Sequence, residues 1–299
     1  MTSLVALVSG FGWHVEDLAR AAGRLGVSLQ AVTFPHVAAV VGIMPDSRRV
    51  SAGELDLTMV DGVLVRMMPP GSLEQVVFRM DALHRIAAAG VRVLNPPRAV
   101  EAAVDKYLTL ALIEAAALPV PPTWTGQTAT EALAAFDALG RDIVVKPLFG
   151  SEGRGLIRIS DTELAWRTFH ALERLGAVIY LQRFIRHPGH DYRVFVLGDE
   201  VIGVMRRHAT GGDWRTNVSL GGRAESCELD ADAERLALAA ARAIGAEMAG
   251  VDLVPDLDRG QLVVLEVNAV PGWRALSRVT GIDIAAAILT NLKGAGSRR

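Results

Sequence analysis

Two carboxylates and a carboxamide stand on two short apolar runs late in the chain. Asp252 lies in Gly250-Val251-Asp252-Leu253-Val254, and Glu266 and Asn268 lie in Val263-Val264-Leu265-Glu266-Val267-Asn268. Residues two apart on a strand point to one face, so Glu266 and Asn268 are neighbours. The intervening Asp256-Leu257-Asp258-Arg259-Gly260 has turn composition, which makes the two runs an antiparallel hairpin. A register that sets 252 opposite 266 brings all three oxygen-bearing side chains together. A slip of one residue sends Asp252 to the other face. Such groups on apolar strands are costly unless something pairs with them. Nearby arginines could pair with them in a core, but this many hard oxygen donors suits Mg²⁺ bound together with substrate phosphates.

A glycine loop adds to this picture. Gly150-Ser151-Glu152-Gly153-Arg154-Gly155 follows the run Val144-Val145-Lys146-Pro147 and precedes another strand-like run. Three glycines let a backbone close over an anion and present its N–H groups, and Lys146 adds a point charge for a phosphate. No Lys-Ser/Thr follows the last glycine, so this is not a Walker A loop. A strand rather than a helix comes next, so it is not a dinucleotide fingerprint either. Alone, it reads equally as a glycine-rich hairpin with an exposed lysine.

The cations Lys106, Arg193, Arg206, Arg207, His208 and Arg215 form a third group, with Arg215-Thr216-Asn217 following a Gly211-Gly212 break. Adjacent arginines on a strand point to opposite faces, so at most one of Arg206 and Arg207 faces a given site. The alternative is a solvated basic edge. Finally, Gln182-Arg183-Phe184-Ile185 ends an apolar run, and Asp191 follows His187-Pro188-Gly189-His190. Backbone groups there could read an adenine edge, with the carboxylate on ribose hydroxyls, or the segment is an ordinary strand exit.

The elements that must hold these residues fall into three stretches. Up to about residue 96, apolar strands (Leu4–Val8, Val27–Phe34, Gly62–Arg66, Val91–Leu94) alternate with helices (Val15–Leu25, Leu73–Ala89), which predicts a parallel sheet covered on both faces. Asn95-Pro96-Pro97 marks the boundary. Residues 97–180 then carry helices over Ala99–Ala117, Thr130–Leu139 and Asp161–Leu175 with the glycine loop between two strands. Residues 181–299 hold mostly short strands, a helix over Ala231–Ala246, the carboxylate hairpin and a last helix over Asp283–Leu292.

The 299 residues contain 31 Lys+Arg against 33 Asp+Glu, a net charge of -2 that argues against nucleic acid or anionic membrane as partner. A 51% apolar and 21% charged composition is globular, so disorder, collagen and coiled coil are excluded. One cysteine, Cys227, cannot form an internal disulfide. No apolar stretch approaches the ~18 residues of a membrane span, and no basic segment precedes the apolar start. The expectation is a cytoplasmic protein.

Taken in order, Asp105-Lys106, Val144-Val145-Lys146, Gly150-x-x-Gly153-x-Gly155, Leu181-Gln182-x-Phe184-Ile185 and Asp191-x-Arg193 resemble an ATP-grasp ligase of the RimK type. So do Arg206-Arg207, Arg215-x-Asn217, Gly250-Val251-Asp252, Glu266-Val267-Asn268, Pro271-Gly272 and Thr280-Gly281-Ile282-Asp283. The resemblance implies an α/β pre-ATP-grasp domain followed by two α+β lobes that hold ATP between them. It implies that Lys106 and Lys146 touch the phosphates and that Gly150, Ser151, Glu152, Gly153 and Gly155 close over them. Gln182, Arg183, Phe184 and Ile185 would line the adenine pocket, with Asp191 on ribose and Arg193 nearby. Asp252, Glu266 and Asn268 would hold two Mg²⁺ (Mn²⁺ is an alternative), with Glu266 bridging. Arg206 or Arg207, with Arg215 and Asn217, would sit at the γ-phosphate and the acyl phosphate. Arg183 stands where the family commonly has Glu.

The chemistry so implied is amide formation. ATP phosphorylates a carboxylate, an amine attacks the acyl phosphate, and phosphate leaves. The partners are ATP, an amino acid (L-glutamate) and a carboxylate acceptor, and a homo-oligomer is compatible with the family. Met67-Met68-Pro69-Pro70-Gly71-Ser72 with Asn95-Pro96-Pro97 resembles the subgroup associated with methanopterin-type one-carbon metabolism, so a pterin- or furan-type cofactor is the expected acceptor. Alternatives are a protein tail or carrier protein as acceptor, another ATP-grasp peptide ligase, or a non-catalytic nucleotide-binding module. Arg66, Trp13 and His14 follow first-domain strands, at the ends where open α/β sheets place ligands, and are the candidate substrate residues.

Overall fold

Leu4–Val8 is buried throughout, as a strand packed on both faces must be, and it leads a parallel sheet. The computed structural model describes residues 2–42, 49–150, 155–211, 213–216 and 222–294. The N-terminal domain comprises β1 (Ser3–Val8), α1 (Trp13–Leu25), β2 (Ser28–Thr33), β3 (Val37–Ala39), β4 (Val50–Ala52), β5 (Leu55–Asp56), β6 (Gly62–Val65), α2 (Leu73–Ala88) and β7 (Arg92–Leu94). Its parallel sheet runs β2-β1-β6-β7. Ser72 and Gln75 close a capping box on α2, which fixes where that crossover helix starts. The small antiparallel sheet β3-β4-β5 is a departure from the expected pattern, since its strands are too short to show a period of two.

The single helix expected over Ala99–Ala117 is two, α3 (Pro97–Val104) and α4 (Lys106–Ala115). Asp105 adopts an extended conformation and its carboxylate accepts the Tyr107 and Leu108 N–H groups, so α4 starts afresh with Lys106 at its first position. Next come β8 (Thr123–Gly126), α5 (Ala129–Ala138), β9 (Ile143–Lys146), β10 (Ile157–Ile159), α6 (Thr162–Arg174) and β11 (Ile179–Arg183). They form an antiparallel sheet, β10-β9-β11-β8, over a core that includes Phe136 and Phe169.

The C-terminal lobe holds β12 (His190–Leu197), β13 (Glu200–His208), β14 (Arg223–Ser226), α7 (Ala231–Ala243), β15 (Met248–Asp256), β16 (Gln261–Asn268), α8 (Arg274–Thr280) and α9 (Ile284–Gly294). Its sheet runs β14-β13-β12-β15-β16. One face, with Val194, Val251 and Val264, is covered by α7 and by α3 and α4. On the other face Phe195, Leu197 and Met205 share a core with Leu4, Leu18 and Leu64 of the N-terminal domain and with α9. The remaining half of that second face is the floor of a cleft.

The expected division of the chain shifts accordingly. α3 and α4 pack with the C-terminal lobe, and the central lobe runs to the end of β11 at Arg183 rather than stopping at residue 180. No single helix among the described residues is long and apolar enough to cross a membrane.

Candidate active site

Asp252 pairs with Glu266, and Gly250 with Asn268, in the hairpin of β15 and β16. This is the register that brings the three oxygen donors to one face. Immediately after it the register shifts, from Asp252↔Glu266 to Leu253↔Val264, leaving Leu265 as the extra residue of a bulge. A bulge re-aims neighbouring side chains, so Leu265 and Glu266 both line the cleft although adjacent residues on a regular strand diverge. Glycine is required at 250, since a Cβ there would come within 2.9 Å of Pro271 and 3.2 Å of Arg193.

The same face continues across β12 and β13, where Arg193 lies opposite Asp252 and Arg207 opposite Asp191. Arg207 grips Asp191 through two bonds, Nε–Oδ1 at 2.7 Å and Nη2–Oδ2 at 2.6 Å, and its Nη2 lies 3.0 Å from Asp252 Oδ2. Arg193 donates from Nε to Asp252 Oδ1 and from Nη2 to Oδ2 at 2.8 Å. Thr216 adds a hydroxyl bond of 2.6 Å to Asp191. The result is a buried row of two acids and two arginines. Burial alone would raise the Asp252 carboxyl, but Arg193 and Arg207 outweigh it and hold it below the usual carboxylate range. Burial likewise opposes the Arg207 charge, and Asp252 with Asp191 overcomes it.

Facing this floor stand two lysines, Lys146 of the central lobe and Lys106 at the start of α4. Lys146, at the end of β9, donates to Gln182 Oε1 at 2.6 Å, and Gln182 in turn donates to Thr123 and Tyr180. Burial lowers the Lys146 ammonium to about 8, against the pull of Glu266. Lys106 donates to the Gly150 carbonyl at 2.7 Å and is also lowered by burial. Gly150 and Gly155 bracket the loop with positive φ, whereas Ser151, Glu152 and Gly153 lie outside the described residues, as does Asn217.

Away from the lysines the cleft turns apolar, lined by Val144, Leu156, Phe184, Ile185, Val254 and Leu265, with Trp214 and His187 at its edge; its volume is about 880 Å³ including the open mouth. The Arg183 and Phe184 N–H groups are committed to the Pro122 and Asp142 carbonyls. Ile185 N–H makes no hydrogen bond among the described residues, which leaves it free for a ligand. An apolar slot with an unpaired backbone donor thus adjoins two cations and a carboxylate face.

Several expectations need correction. Arg206 points to the α7 side of the sheet, 3.5 Å from Glu225 and over Tyr192, because it alternates with Arg207 along β13. Arg193 serves as the partner of Asp252 and does not line the cleft. Asp191 lines the cleft, but both of its oxygens are engaged by Arg207 and Thr216, so it anchors that arginine rather than standing open for a ribose. Arg183 lines the rim and reaches toward Asp256, 3.7 Å from Oδ2. Arg215 lines the cleft while paired with Asp213 at 2.7 Å, and those hydrogen bonds lower the Asp213 carboxyl and raise Arg215. The sequence reading missed Thr216, Tyr180 and Leu265. All three lay beside recognised signals, Thr216 inside Arg215-x-Asn217, Leu265 before Glu266 and Tyr180 before Leu181-Gln182, but nothing in their types marked them.

Comparison with known proteins agrees with this geometry. Residues 103–292 match the RimK-like ATP-grasp domain. The chain belongs to the RimK-like ATP-grasp family. It is 35% identical over 268 residues to a tetrahydromethanopterin:alpha-L-glutamate ligase of Methanosarcina acetivorans, covering 81% of this chain and 82% of the relative. A ligase of the same description from Methanocaldococcus jannaschii is 37% identical, with 72% and 74% covered. Among solved structures, the ATP-grasp ligase PsnB complexed with minimal precursor superposes with a TM-score of 0.78 at 23% identity, covering 99% of each chain, a likeness of fold. The chain is accordingly an ATP-dependent carboxylate–amine ligase.

RimK-like ligases use ATP and Mg²⁺, and the donors in this chain fit that ion. The Glu266 carboxylate makes no hydrogen bond or ion pair among the described residues. Asn268 Oδ1 accepts one N–H, from Val270 at 2.8 Å, and Asp252 Oδ1 accepts one from Arg193, so each keeps a lone pair. Three hard oxygens on one face beside two lysines are of the donor type that Mg²⁺ takes.

The N-terminal candidates lie together, on the far side of the segment that follows Asn268. Arg66 is buried beneath Trp273, with its guanidinium carbon 4.9 Å from the ring centroid. His14 Nε2 accepts the Trp273 N–H at 3.3 Å and its ring meets those of Trp13 and Trp273 edge-on. Burial, helped by Arg66, lowers His14 to about 4, so it is neutral at physiological pH. None of the three lines the ATP cleft.

Proposed function

We propose that this RimK-like ligase adds L-glutamate to the carboxylate of a small pterin-type cofactor, in the cytoplasm. The observation that carries the substrate class is the 35–38% identity to three tetrahydromethanopterin:alpha-L-glutamate ligases. In this reading the base lies in the apolar slot, with Gln182 to Ile185 along its edge and Ile185 N–H as its donor. Lys106 and Lys146 take phosphate oxygens, and Arg207 and Arg215 face the transferring phosphoryl group.

The steps balance as follows. A carboxylate oxygen of the acceptor attacks the γ-phosphorus, the bond to the bridging oxygen breaks, and ADP leaves. The glutamate nitrogen then attacks the acyl carbon, the tetrahedral adduct collapses, phosphate departs and a proton is released. Asp252, Glu266 and Asn268 would hold Mg²⁺, or Mn²⁺ in its place, which supplies charge neutralisation at the phosphates. The chain contributes position and a fixed field, with no covalent nucleophile. Cys227, whose thiol burial pushes up, takes no part.

Incubating the protein with ATP, Mg²⁺, labelled glutamate and tetrahydromethanopterin tests this reading. The expected result is ADP, phosphate and an acceptor heavier by one labelled glutamyl unit. Phosphate release without an acceptor, or labelled product on a protein tail in its place, overturns it.

A further inference from the structure

Arg66 carries a feature that the ATP cleft does not explain. Its side chain is 4% exposed, and among the described residues no carboxylate pairs with it. Its one side-chain hydrogen bond is a long one, from Nη1 to the Val270 carbonyl at 3.3 Å, and its Nε has no partner. A buried guanidinium presents five donors and a full charge, and leaving them unmatched is expensive. Burial lowers Arg66 to about 10, which still leaves it charged at neutral pH. The free protein therefore bears a cost that a bound anion would remove.

Topology places this cation where a ligand belongs. In the order β2-β1-β6-β7, the crossover from β1 leads outward through α1 to β2, and that from β6 leads the other way through α2 to β7. The carboxyl ends of β1 and β6 thus flank a topological switch point, the crevice where open α/β sheets bind ligands. Arg66 follows β6 directly, and Trp13 and His14 open α1 after β1. Across the crevice, Gly272 lies beside both residues: an added Cβ would sit in ordinary contact, 3.5 Å from His14 Nε2 and 3.9 Å from Arg66 Nη2. His14 is neutral and Arg274 stacks over Trp13, while the nearby Asp17 carboxylate is already matched by the Trp273 indole N–H at 2.8 Å and by Arg20 at 2.7 Å.

The position also says which anion. Val270 is two residues past Asn268, so Arg66 lies one loop away from the carboxylate hairpin without lining the cleft. A carboxylate about to be phosphorylated must reach the γ-phosphate in the cleft. A carboxylate gripped by both arms of a guanidinium has its oxygens neutralised and is a poor nucleophile. We propose that Arg66 clamps a substrate carboxylate that does not react, at the switch point between β1 and β6, and so selects substrates that carry one. The inference deepens the ligase reading and rests on it for the identity of the substrates. The carboxylate is either that of the glutamate carbon bearing the amine or a second carboxylate on the acceptor.

The test pairs enzyme variants with trimmed substrates. With wild-type protein, one arm compares glutamate with γ-aminobutyrate, which lacks the carboxylate next to the amine. The other compares a diacid acceptor with its monoacid analogue. The clamp predicts that wild type discriminates by about 100-fold or more in kcat/KM in one arm, which identifies the source. Arg66→Gln abolishes that discrimination, and Arg66→Lys restores part of it. Unchanged discrimination in Arg66→Gln in both arms overturns the clamp. Binding supplies a readout that needs no turnover, since Trp13 and Trp273 adjoin the site. Glutarate should change the tryptophan fluorescence of wild type and not that of Arg66→Gln, with melting temperature and ATP binding confirming that the variant is folded. A wild type that binds glutarate through Arg66 yet forms no glutamyl product sinks the ligase reading and leaves the clamp standing. A working ligase whose Arg66→Gln form binds glutarate normally does the reverse.

Discussion

In the proposed reading, in which Lys146 takes a phosphate oxygen, this one side chain ties nucleotide binding to pH. It is buried at the end of β9 with Gln182 as its hydrogen-bond partner, and its ammonium titrates near 8 because burial disfavours the charge. Bound phosphates favour the charged form and raise that value, so binding takes up a proton wherever the free lysine has lost it. ATP affinity is therefore full below about 8 and falls as pH rises above it, by up to about tenfold per pH unit. Calorimetric titration of ATP on either side of that value should show the decline. Lys146→Arg, which stays charged, should flatten it. The acidic row opposite is equally dependent on partners. Removing either arginine from Asp252 leaves a buried charge uncompensated, which costs about 3–5 kcal/mol.

At the scale of the element, the break at Asp105 matters more than helix length. A continuous helix would carry Lys106 inside its body, whereas the Asp105 cap sets it at the first turn of α4, within reach of the Gly150 carbonyl. Asp105→Ala removes the acceptor of two N–H bonds and should cost about 1 kcal/mol. It should also raise the KM for ATP by releasing Lys106. Asp105→Asn keeps a capping oxygen and should behave close to wild type in thermal melts and ATP kinetics. The bulge at Leu265 is the second element-scale device. It lets one strand present both an apolar wall and an acid to the same cleft.

Across the whole molecule, the N-terminal domain grips the segment that leaves Asn268. Asn95, fully buried, donates to the Met248 and Ala269 carbonyls at 2.6 and 2.5 Å and accepts from the Glu247 and Met248 N–H groups at 2.9 and 2.7 Å. Arg66 takes the Val270 carbonyl, His14 the Trp273 amide, and Asp17 the Trp273 indole N–H at 2.8 Å. Asn95→Ala strands four backbone groups in a shared core, so a loss of roughly 3–5 kcal/mol is expected in chemical denaturation. The N-terminal domain and the C-terminal lobe should still melt together, because Leu4, Leu18, Phe195 and Met248 belong to one core. The central lobe has its own core around Phe136 and Phe169 and should melt separately.

Local chemistry and short-range pattern were enough to indicate the carboxylate hairpin, with its register left as a condition, and the parallel sheet of the first domain. A turn of Asp and Gly between two apolar runs makes a hairpin, and a period of two sets the faces once the register is given; the structure supplies that register and its shift at Leu265. Tertiary structure decided what depends on partners distant in sequence. It turned Arg207 rather than Arg206 to the cleft and joined Arg193 to Asp252. It also bent Leu265 inward, moved α3 and α4 to the C-terminal lobe and left Arg66 buried without a counter-ion. Charge pairing and burial are sums over neighbours, and 204 positions separate Arg66 from the carbonyl it holds. The near-zero net charge of the chain is silent about such sums, because only folding determines which charges meet.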